Sequence, residues 1–231
     1  MPSRPSASEG SGLPSERVVL ADELAEHERL LRRGSPTLRA RVVRATAVSY
    51  GVSVRDDAGY LRRARAEGLP TVGRTTGGTG LLHLAGDLVW AVVLPRDDPR
   101  VGRDFARAFD RLGAEISDGL RAAGVEAGWA PAPGLSDDYC PLSGRGQVLV
   151  AGGHVLGGAA QHATSRALLH HGGISWTVDR PTVGRIFGPL AAATLERLGG
   201  LADLRPSLSA AGVAAGLERA FARAAPPRPL S

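Results

Sequence analysis

The sequence predicts a single mixed α/β domain of the α+β class, in which a mixed β-sheet core is flanked by helices. Short segments rich in Val, Ile and Leu recur along the chain between glycines and prolines, as is typical of strands. Amphipathic segments with helical spacing separate them. The chain of 231 residues, 43% of them hydrophobic, can bury one sizeable core, which favours one domain over two.

Composition sets the expected domain boundaries. Residues 1–14 are rich in Ser, Pro and Gly, and the Pro-rich residues 226–231 close the chain. Neither segment has enough apolar side chains to build a core, so we expect a disordered leader and a disordered tail. The folded domain is expected between residues 15 and 225.

The first part of the domain predicts a helix, two strands and a second helix. Apolar residues at helical spacing indicate a helix from Ser15 to Gly34. Residues 38–54 are rich in β-branched side chains and predict two short strands that meet at Tyr50. Residues 56–67 have the pattern of another helix, followed by a glycine suited to its C-cap.

The middle of the chain predicts three strands and the clearest helix. The strands are expected at residues 70–74, 81–83 and 88–94, with a glycine-rich turn after the first. A helix is predicted over residues 102–124, because an apolar stripe recurs there at intervals of three and four residues. We expect that stripe to be core; it consists of Phe105, Phe109, Leu112, Ile116 and Leu120.

The C-terminal part of the chain also predicts both strands and helices. An edge strand is predicted within residues 125–133 and a buried strand at Val148 to Val150. A further strand is expected from Ile174 to Val178. Two helices follow, one beginning at Pro181 and the last over residues 206–223. No internal repeat is visible.

The basic residues exclude several enzyme classes. All 28 of them are arginine, so the chain has no lysine for a Walker A loop, a kinase site or a pyridoxal Schiff base. The net charge is +5 and the pI is near 10.5, but the arginines are scattered among acidic residues. We therefore predict no nucleic-acid partner, and the mild positive charge suits an acidic protein partner.

The chain has one cysteine, which excludes an intramolecular disulfide and indicates a cytoplasmic protein. No apolar run has transmembrane length, and the N-terminus lacks the apolar region of a signal peptide. We predict no membrane partner. The histidines and the cysteine do not match a known metal-ligand spacing, so no metal site is predicted.

A first candidate binding motif is RTTGGTGLLH, residues 74–83. Its glycines and threonines can direct backbone N–H groups and hydroxyls toward one point, which suits a carboxylate, a phosphate or an amide. Arg74 at its edge would add a fixed positive charge. An ordinary hairpin bend would use the same residues, so the motif alone does not decide.

A second candidate region lies between Tyr139 and Gly172, and it contains the only cysteine and four of the six histidines. Cys140 can act as a nucleophile that forms a thioester without ATP. A reactive thiolate requires a nearby cation or helix N-terminus, and the candidates are His83, His154, His171 and Arg145. The alternative is that Cys140 is a small buried hydrophobic residue.

In order and spacing, these segments resemble the biotin/lipoate protein ligase superfamily, in its lipoate-protein ligase and octanoyltransferase branch. The helix ADELAEHERLL is followed by PTLR and a strand ending in SYG. RTTGGTGLLH is similar to the family's Arg-x-(Ser/Thr)-Gly-Gly-x-x-x-x-His motif. A cysteine-bearing loop, a turn like the family's Gly-Ser-Ala-Gln and the segment LHHG complete the pattern, which covers residues 20 to 225. No Gly-Arg-Gly-Arg segment of the biotin ligases is present.

The resemblance implies a fold shared with class II synthetases and the biotinyl and lipoyl ligases. It also implies transfer of a lipoyl or octanoyl group to a lysine of a lipoyl domain, through an acyl-adenylate or a cysteine thioester. ATP and Mg would be needed only for the adenylate route. The implied substrate-binding residues are Arg74, Thr76, Gly77, Gly78, His83, Gly158, Ala160, Gln161, His171 and Gly172.

The partner implied is the lipoyl domain of a 2-oxoacid dehydrogenase or a glycine cleavage H-type protein, with acyl carrier protein as a further partner if it delivers the octanoyl group.

The chain departs from the family at one position. The family has a lysine three residues before the glycine of its Gly-Ser-Ala-Gln turn, and here that residue is Val155. His154 is adjacent and is a candidate catalytic residue, but on a strand it would face the opposite side unless a bulge turns it.

We therefore expect a lipoate-protein ligase-like or octanoyltransferase-like enzyme with Cys140 and His154 as catalytic candidates. The alternative is a non-catalytic relative, without the lysine, that binds a lipoyl or acyl group or acts as a partner subunit. The third alternative is a ligase for another small carboxylate or another amine acceptor, which would share the adenylate chemistry.

Overall fold

The structure is a computed structural model and describes residues 17–224. The predicted leader (residues 1–14) and tail (residues 226–231) lie outside the described residues. The helices are α1 (Leu20–Arg33), α2 (Gly59–Ala66), α3 (Phe105–Ala122), α4 (Arg180–Phe187), α5 (Ala192–Leu195), α6 (Leu201–Leu204) and α7 (Ala210–Ala224). None of the helices in this part of the chain has the length and apolarity needed to cross a membrane.

Within residues 17–224, ten strands form two sheets. The strands are β1 (Arg17–Val18), β2 (Thr37–Val43), β3 (Ala47–Tyr50), β4 (Thr71–Gly73), β5 (Gly80–His83), β6 (Leu88–Pro95), β7 (Gly128–Pro131), β8 (Gln147–Ala151), β9 (His154–Ala163) and β10 (Ala167–Ile174). The large sheet has the order β1-β2-β6-β10-β9-β8-β7, and the small sheet has the order β4-β3-β5. Each sheet combines parallel and antiparallel pairs, which confirms the predicted mixed α/β fold.

The two faces of the large sheet carry different layers, because side chains alternate along each strand. On β6, Trp90 and Val92 belong to the main core, which α3 and α7 cover. Ala91 and Val89 point to the other face, where they pack against residues of α1. The small sheet also lies on this second face, where Ala47 of β3 packs in the same cluster as Leu24 of α1 and Val89.

A separate apolar cluster joins the small sheet to the β8–β9 hairpin. It contains Tyr60 of α2, Leu82 of β5, Tyr139 before the cysteine and Val155 of β9, all of them buried. The rings of Tyr60 and Tyr139 both stack on Phe187, with centroid distances of 5.3 and 4.6 Å. This cluster supports the loop that carries Cys140.

Three details of the sequence analysis need correction. The two strands predicted within residues 38–54 do not meet at Tyr50; they are separated at residues 44–46 and lie in different sheets. No strand covers Ile174 to Val178, since Ile174 is the last residue of β10. Phe105 is 45% exposed and is not core, because it is the first residue of α3, where the guanidinium of Arg96 stacks on its ring.

Candidate active site

A pocket opens between α1, the small sheet and the centre of the large sheet. Leu24, Leu81 and Val89 give it apolar walls, and Gly158 and Ala160 keep the β9 side free of bulky side chains. Its full lining is Leu24, His27, Ser49, Arg74, Leu81, His83, Val89, Gly158, Ala159, Ala160, His171 and Gly172. An apolar cavity with a few convergent polar groups is typical of a small-ligand site.

Arg74 is the buried cation of this pocket. Its Nη1 donates to Ser49 Oγ at 3.0 Å, and its Nη2 donates to the carbonyls of Gly77 and Thr79 at 3.1 and 2.9 Å. No carboxylate among residues 17–224 pairs with it. Burial lowers the pKa of Arg74, but a guanidinium stays protonated. A buried cation without a carboxylate favours an anionic ligand.

The Gly77–Gly78 turn offers further donors. Neither glycine N–H takes part in a hydrogen bond with another described residue. The hydroxyls of Thr75 and Thr79 in the same turn are buried and also lack a partner within the described chain. Gly78 has φ 94°, a conformation that side chains disfavour. The turn therefore presents unpaired donors beside Arg74, as a carboxylate or an oxyanion requires.

The loop of Cys140 reaches this turn through β5. The N–H of Gly80 donates to the carbonyl of Asp138 at 2.9 Å, and Tyr139 forms a parallel bridge with Gly80. Cys140 then begins a short 3₁₀ turn that ends at Leu142. As a result, the sulfur of Cys140 lies against Gly78, on the face that Arg74 also contacts.

His83 lies on the pocket wall. Its Nε2 is 2.9 Å from Ser49 Oγ, the hydroxyl that also accepts from Arg74. Burial, assisted by the positive charge of Arg74, lowers the pKa of His83 to about 3. His83 is therefore neutral near pH 7, and it orients the Ser49–Arg74 pair.

His171 links the pocket to the Gly-Gly turn. Its Nε2 lies 2.6 Å from the hydroxyl of Thr76, and its Nδ1 lies 3.2 Å from Nδ1 of His27 on α1. The second nitrogen of His27 is 3.3 Å from Glu23. Sequence reasoning missed both α1 residues. The available signal was a Glu and a His at i and i+4 on the apolar face of an amphipathic helix.

The second motif is only partly in the pocket. Gly158, Ala160 and Gly172 line it, whereas Gln161 belongs to the opposite face of β9. Its side-chain amide lies 3.2 Å from Nδ1 of His170, whose ring packs against Phe109 of α3. Alternation along the strand accounts for this placement, since Ala160 and Gln161 are consecutive.

His154 does not join Cys140. It is the first residue of β9, its Nδ1 lies 3.0 Å from the carbonyl of Gly152 in its own hairpin turn, and its Cβ packs against Gly199. A register shift does occur between β8 and β9, but it lies beyond Val155 and leaves His154 paired with Ala151. His154 therefore stays outside the pocket lining.

Val155, the residue expected at the family's lysine position, lies in the apolar cluster that contains Tyr139 and Leu142. Its side chain offers no donor for a phosphate, and the chain has no lysine that could substitute. The residues present therefore do not fit the triphosphate of ATP at this point. Across residues 17–224, no three His, Cys, Asp or Glu side chains come together as metal ligands would.

Comparison with known proteins identifies relatives. Residues 18–219 match the model of the lipoyl protein ligase A/B catalytic domain. The octanoyltransferase LipM of Exiguobacterium sp. is 30% identical over 179 residues, which cover 72% of this chain and 63% of that protein. The LipM of Geobacillus kaustophilus is 28% identical over 148 residues, or 60% of this chain and 52% of the relative. The chain therefore spans less than two thirds of the length of these curated relatives.

Solved structures agree on the fold. Lipoate-protein ligase A bound with ATP has a TM-score of 0.68 at 25% identity, covering 87% of this chain and 78% of that one. Ta0514, a putative lipoate protein ligase from T. acidophilum with bound lipoic acid, has a TM-score of 0.66 at 23% identity, covering 87% and 79%. Since the family model spans most of its length, the chain belongs to the lipoyl protein ligase A/B catalytic domain family.

Proposed function

We propose that the chain is an octanoyl- or lipoyltransferase that carries its acyl group on Cys140. The observation that carries this proposal is the position of the Cys140 sulfur, which lies near Gly78 beside the guanidinium of Arg74. Arg74 is buried, pairs with no carboxylate among residues 17–224 and lines the apolar pocket, whereas Cys140 lies outside the pocket lining. The guanidinium of Arg74 can stabilise the negative charge that develops on the substrate carbonyl when a sulfur attacks it. The pocket walls suit a medium aliphatic chain, whose carbonyl would face the Gly-Gly turn.

The reaction divides into two acyl transfers. In the first, the Cys140 thiolate attacks the carbonyl carbon of a thioester donor, such as an octanoyl group on acyl carrier protein. The new C–S bond forms as the donor thiolate leaves and takes up a proton. In the second, the neutral ε-amine of a lipoyl-domain lysine attacks the Cys140 thioester. The amide forms, the C–S bond breaks, and the amine proton replaces the acyl group on sulfur or passes to solvent.

Two features support transfer over ligation. The octanoyltransferases LipM are among the curated relatives. Val155 removes the cation that an adenylate intermediate would use. Each tetrahedral intermediate of the thioester route needs only donors for its oxyanion, and Arg74 with the free N–H groups of Gly77 and Gly78 provide them.

The test is a turnover assay with a lipoyl domain or H-type protein of the source organism as acceptor. One arm supplies octanoyl acyl carrier protein without ATP, and the other supplies lipoate, ATP and Mg. Acyl modification of the acceptor lysine, mapped by peptide mass spectrometry, is expected in the first arm. Modification only in the second arm would replace the transferase proposal with a ligase.

A second candidate function follows from Val155. A relative without the lysine can bind a lipoyl or acyl group and act as a carrier or partner subunit. Tight binding of octanoate by calorimetry, with no acceptor modification in either arm, would favour this function. Turnover in either arm excludes it.

A further inference from the structure

Four buried residues form a chain of polar contacts from α1 to the Gly-Gly turn, and we call it the Glu23–Thr76 chain. It runs from Glu23 through His27 and His171 to Thr76. Their exposures are 1%, 1%, 5% and 0%, so water does not compete with these contacts. Polar contacts are stronger in a water-excluded interior than in water, so the chain holds its side chains in place.

The outer end of the chain is an ionised carboxylate. Arg39 donates to Glu23 from Nε at 2.7 Å and from Nη2 at 2.9 Å. Burial would raise the pKa of Glu23, but the hydrogen bonds from His27 and Arg39 outweigh it and lower the pKa to about 2. A carboxylate only accepts hydrogen bonds, so the His27 nitrogen that faces it carries a hydrogen.

The positions of the hydrogens on the two imidazoles follow from their contacts. With a hydrogen on Nε2, toward Glu23, His27 keeps a lone pair on Nδ1. Burial lowers the pKa of His171 well below its usual value, so this imidazole is neutral near pH 7. Its Nδ1–H donates to His27, which leaves Nε2 to accept from the hydroxyl of Thr76.

The inner end of the chain holds the proposed oxyanion donors. Thr76 directly precedes Gly77 and Gly78, whose N–H groups are unpaired within the described residues. The side chain of Thr76 is anchored by His171, and its carbonyl accepts from the N–H of Val52 at 2.9 Å. These two bonds fix the orientation of the peptide planes that follow.

We propose that Glu23 and His27 are positioning residues, which select the His171 tautomer that anchors Thr76 and thereby aim the Gly77 and Gly78 N–H groups at the acyl carbonyl. This inference rests on the proposed function, because it assigns the turn to the head group of the acyl substrate. It also gives a role to Glu23 and His27, which lie outside both the Arg74–His83 motif and the Tyr139–Gly172 region.

The first test is the tautomer state, which does not depend on turnover. Two-bond ¹H–¹⁵N correlation spectra of histidine-labelled protein distinguish Nδ1–H from Nε2–H imidazoles. We expect Nδ1–H for His171 and Nε2–H for His27, with signals assigned by single substitution. His162→Asn is the matched control on the same sheet and should leave both signals in place. A His171 ring with hydrogen on Nε2 would overturn the proposal.

The second test compares His27→Gln with His27→Phe. The amide oxygen of Gln can still accept from His171, whereas Phe fills the space without an acceptor. We expect His27→Phe to mix the His171 tautomers and to lower kcat/KM about a hundredfold, with most activity kept in His27→Gln. Equal activity of the two variants would overturn the positioning role.

A third measurement separates this inference from the proposed function. Octanoate affinity is measured by calorimetry in a Cys140→Ser background, where no thioester forms. His27→Phe should weaken the affinity at least tenfold and His27→Gln should not. If wild type forms no acyl adduct but this difference is found, the proposed function fails and the positioning role stands. No difference in affinity or in tautomer would overturn the positioning role alone.

Discussion

The sulfur of Cys140 and the guanidinium of Arg74 approach the same point on Gly78. A Cβ on that glycine would lie 3.0 Å from Sγ and 2.7 Å from Nη2. The two groups are therefore neighbours, and only the absence of a side chain at residue 78 allows them to be. Arg74 is held there by three hydrogen bonds to Ser49, Gly77 and Thr79, none of which neutralises its charge.

This relationship makes Gly78 a sensitive position. Gly78→Ala should cost about 1–2 kcal/mol of stability for its positive φ, and it should also displace Arg74 or Cys140 and abolish acyl uptake. Gly153→Ala is the matched control, since Gly153 has φ 82° and no atom within 4 Å of its Cβ position. Urea unfolding and an acylation assay check both variants. Full acylation activity in Gly78→Ala would contradict the site geometry.

Restoring the family's lysine should not restore a ligase. Val155 is 7% exposed among apolar side chains, so Val155→Lys would bury an ammonium without a partner and should cost on the order of 3 kcal/mol. Val155→Met, which adds length without charge, carries only the overpacking cost, about 1 to 2 kcal/mol. Unfolding curves give both values. A stable Val155→Lys protein that ligates lipoate with ATP would show that residue 155 reaches the pocket.

Acid should destabilise the fold through its buried neutral histidines. Burial lowers the pKa of His170 to about 3, well below the 6.5 of an exposed imidazole. The unfolded chain then binds more protons below pH 6.5, so the contribution of His170 is present above that pH and is lost as pH falls toward 3. Each such group contributes up to about 1.4 kcal/mol per pH unit to the slope.

The measurement is the pH dependence of unfolding free energy in His170→Phe relative to wild type. Asp87, whose pKa burial raises to about 7, acts in the opposite direction over part of this range, so the difference between the two proteins is the informative quantity. Between pH 6 and pH 4, we expect the slope of unfolding free energy against pH to be smaller in the variant by about 1.4 kcal/mol per pH unit, which corresponds to one proton. His162→Asn serves as control. An unchanged slope would mean that His170 is protonated in the folded state.

Strand and helix patterns predicted most of the fold, because local periodicity reports burial directly. The unbroken apolar run of β6 and the stripe of α3 are examples. The prediction that Phe105 is core is wrong, because a residue at a helix end can follow the apolar stripe and still project beyond the core.

The sequence predicts the parts of the candidate site that are formed by residues close together in the chain. It does not predict the parts that depend on contacts between residues far apart in the chain. Arg74 and the Gly77–Gly78 turn were identified from one motif. Glu23 and His27 were not, since their partner His171 is 144 residues from His27 in the sequence. The motif resemblance predicts Gln161 as a substrate-binding residue, yet its neighbour Ala160 lines the pocket and Gln161 does not. Strand alternation decides which of two adjacent residues reaches a ligand.

The most direct test of the central claim is intact-mass spectrometry of the protein after incubation with octanoyl acyl carrier protein. We expect one octanoyl adduct on the wild-type protein and none on Cys140→Ser. The wild-type adduct should disappear when a lipoyl domain is added. An adduct that persists in Cys140→Ser, or acceptor modification by that variant at the wild-type rate, would contradict the assignment of Cys140 as the acyl carrier.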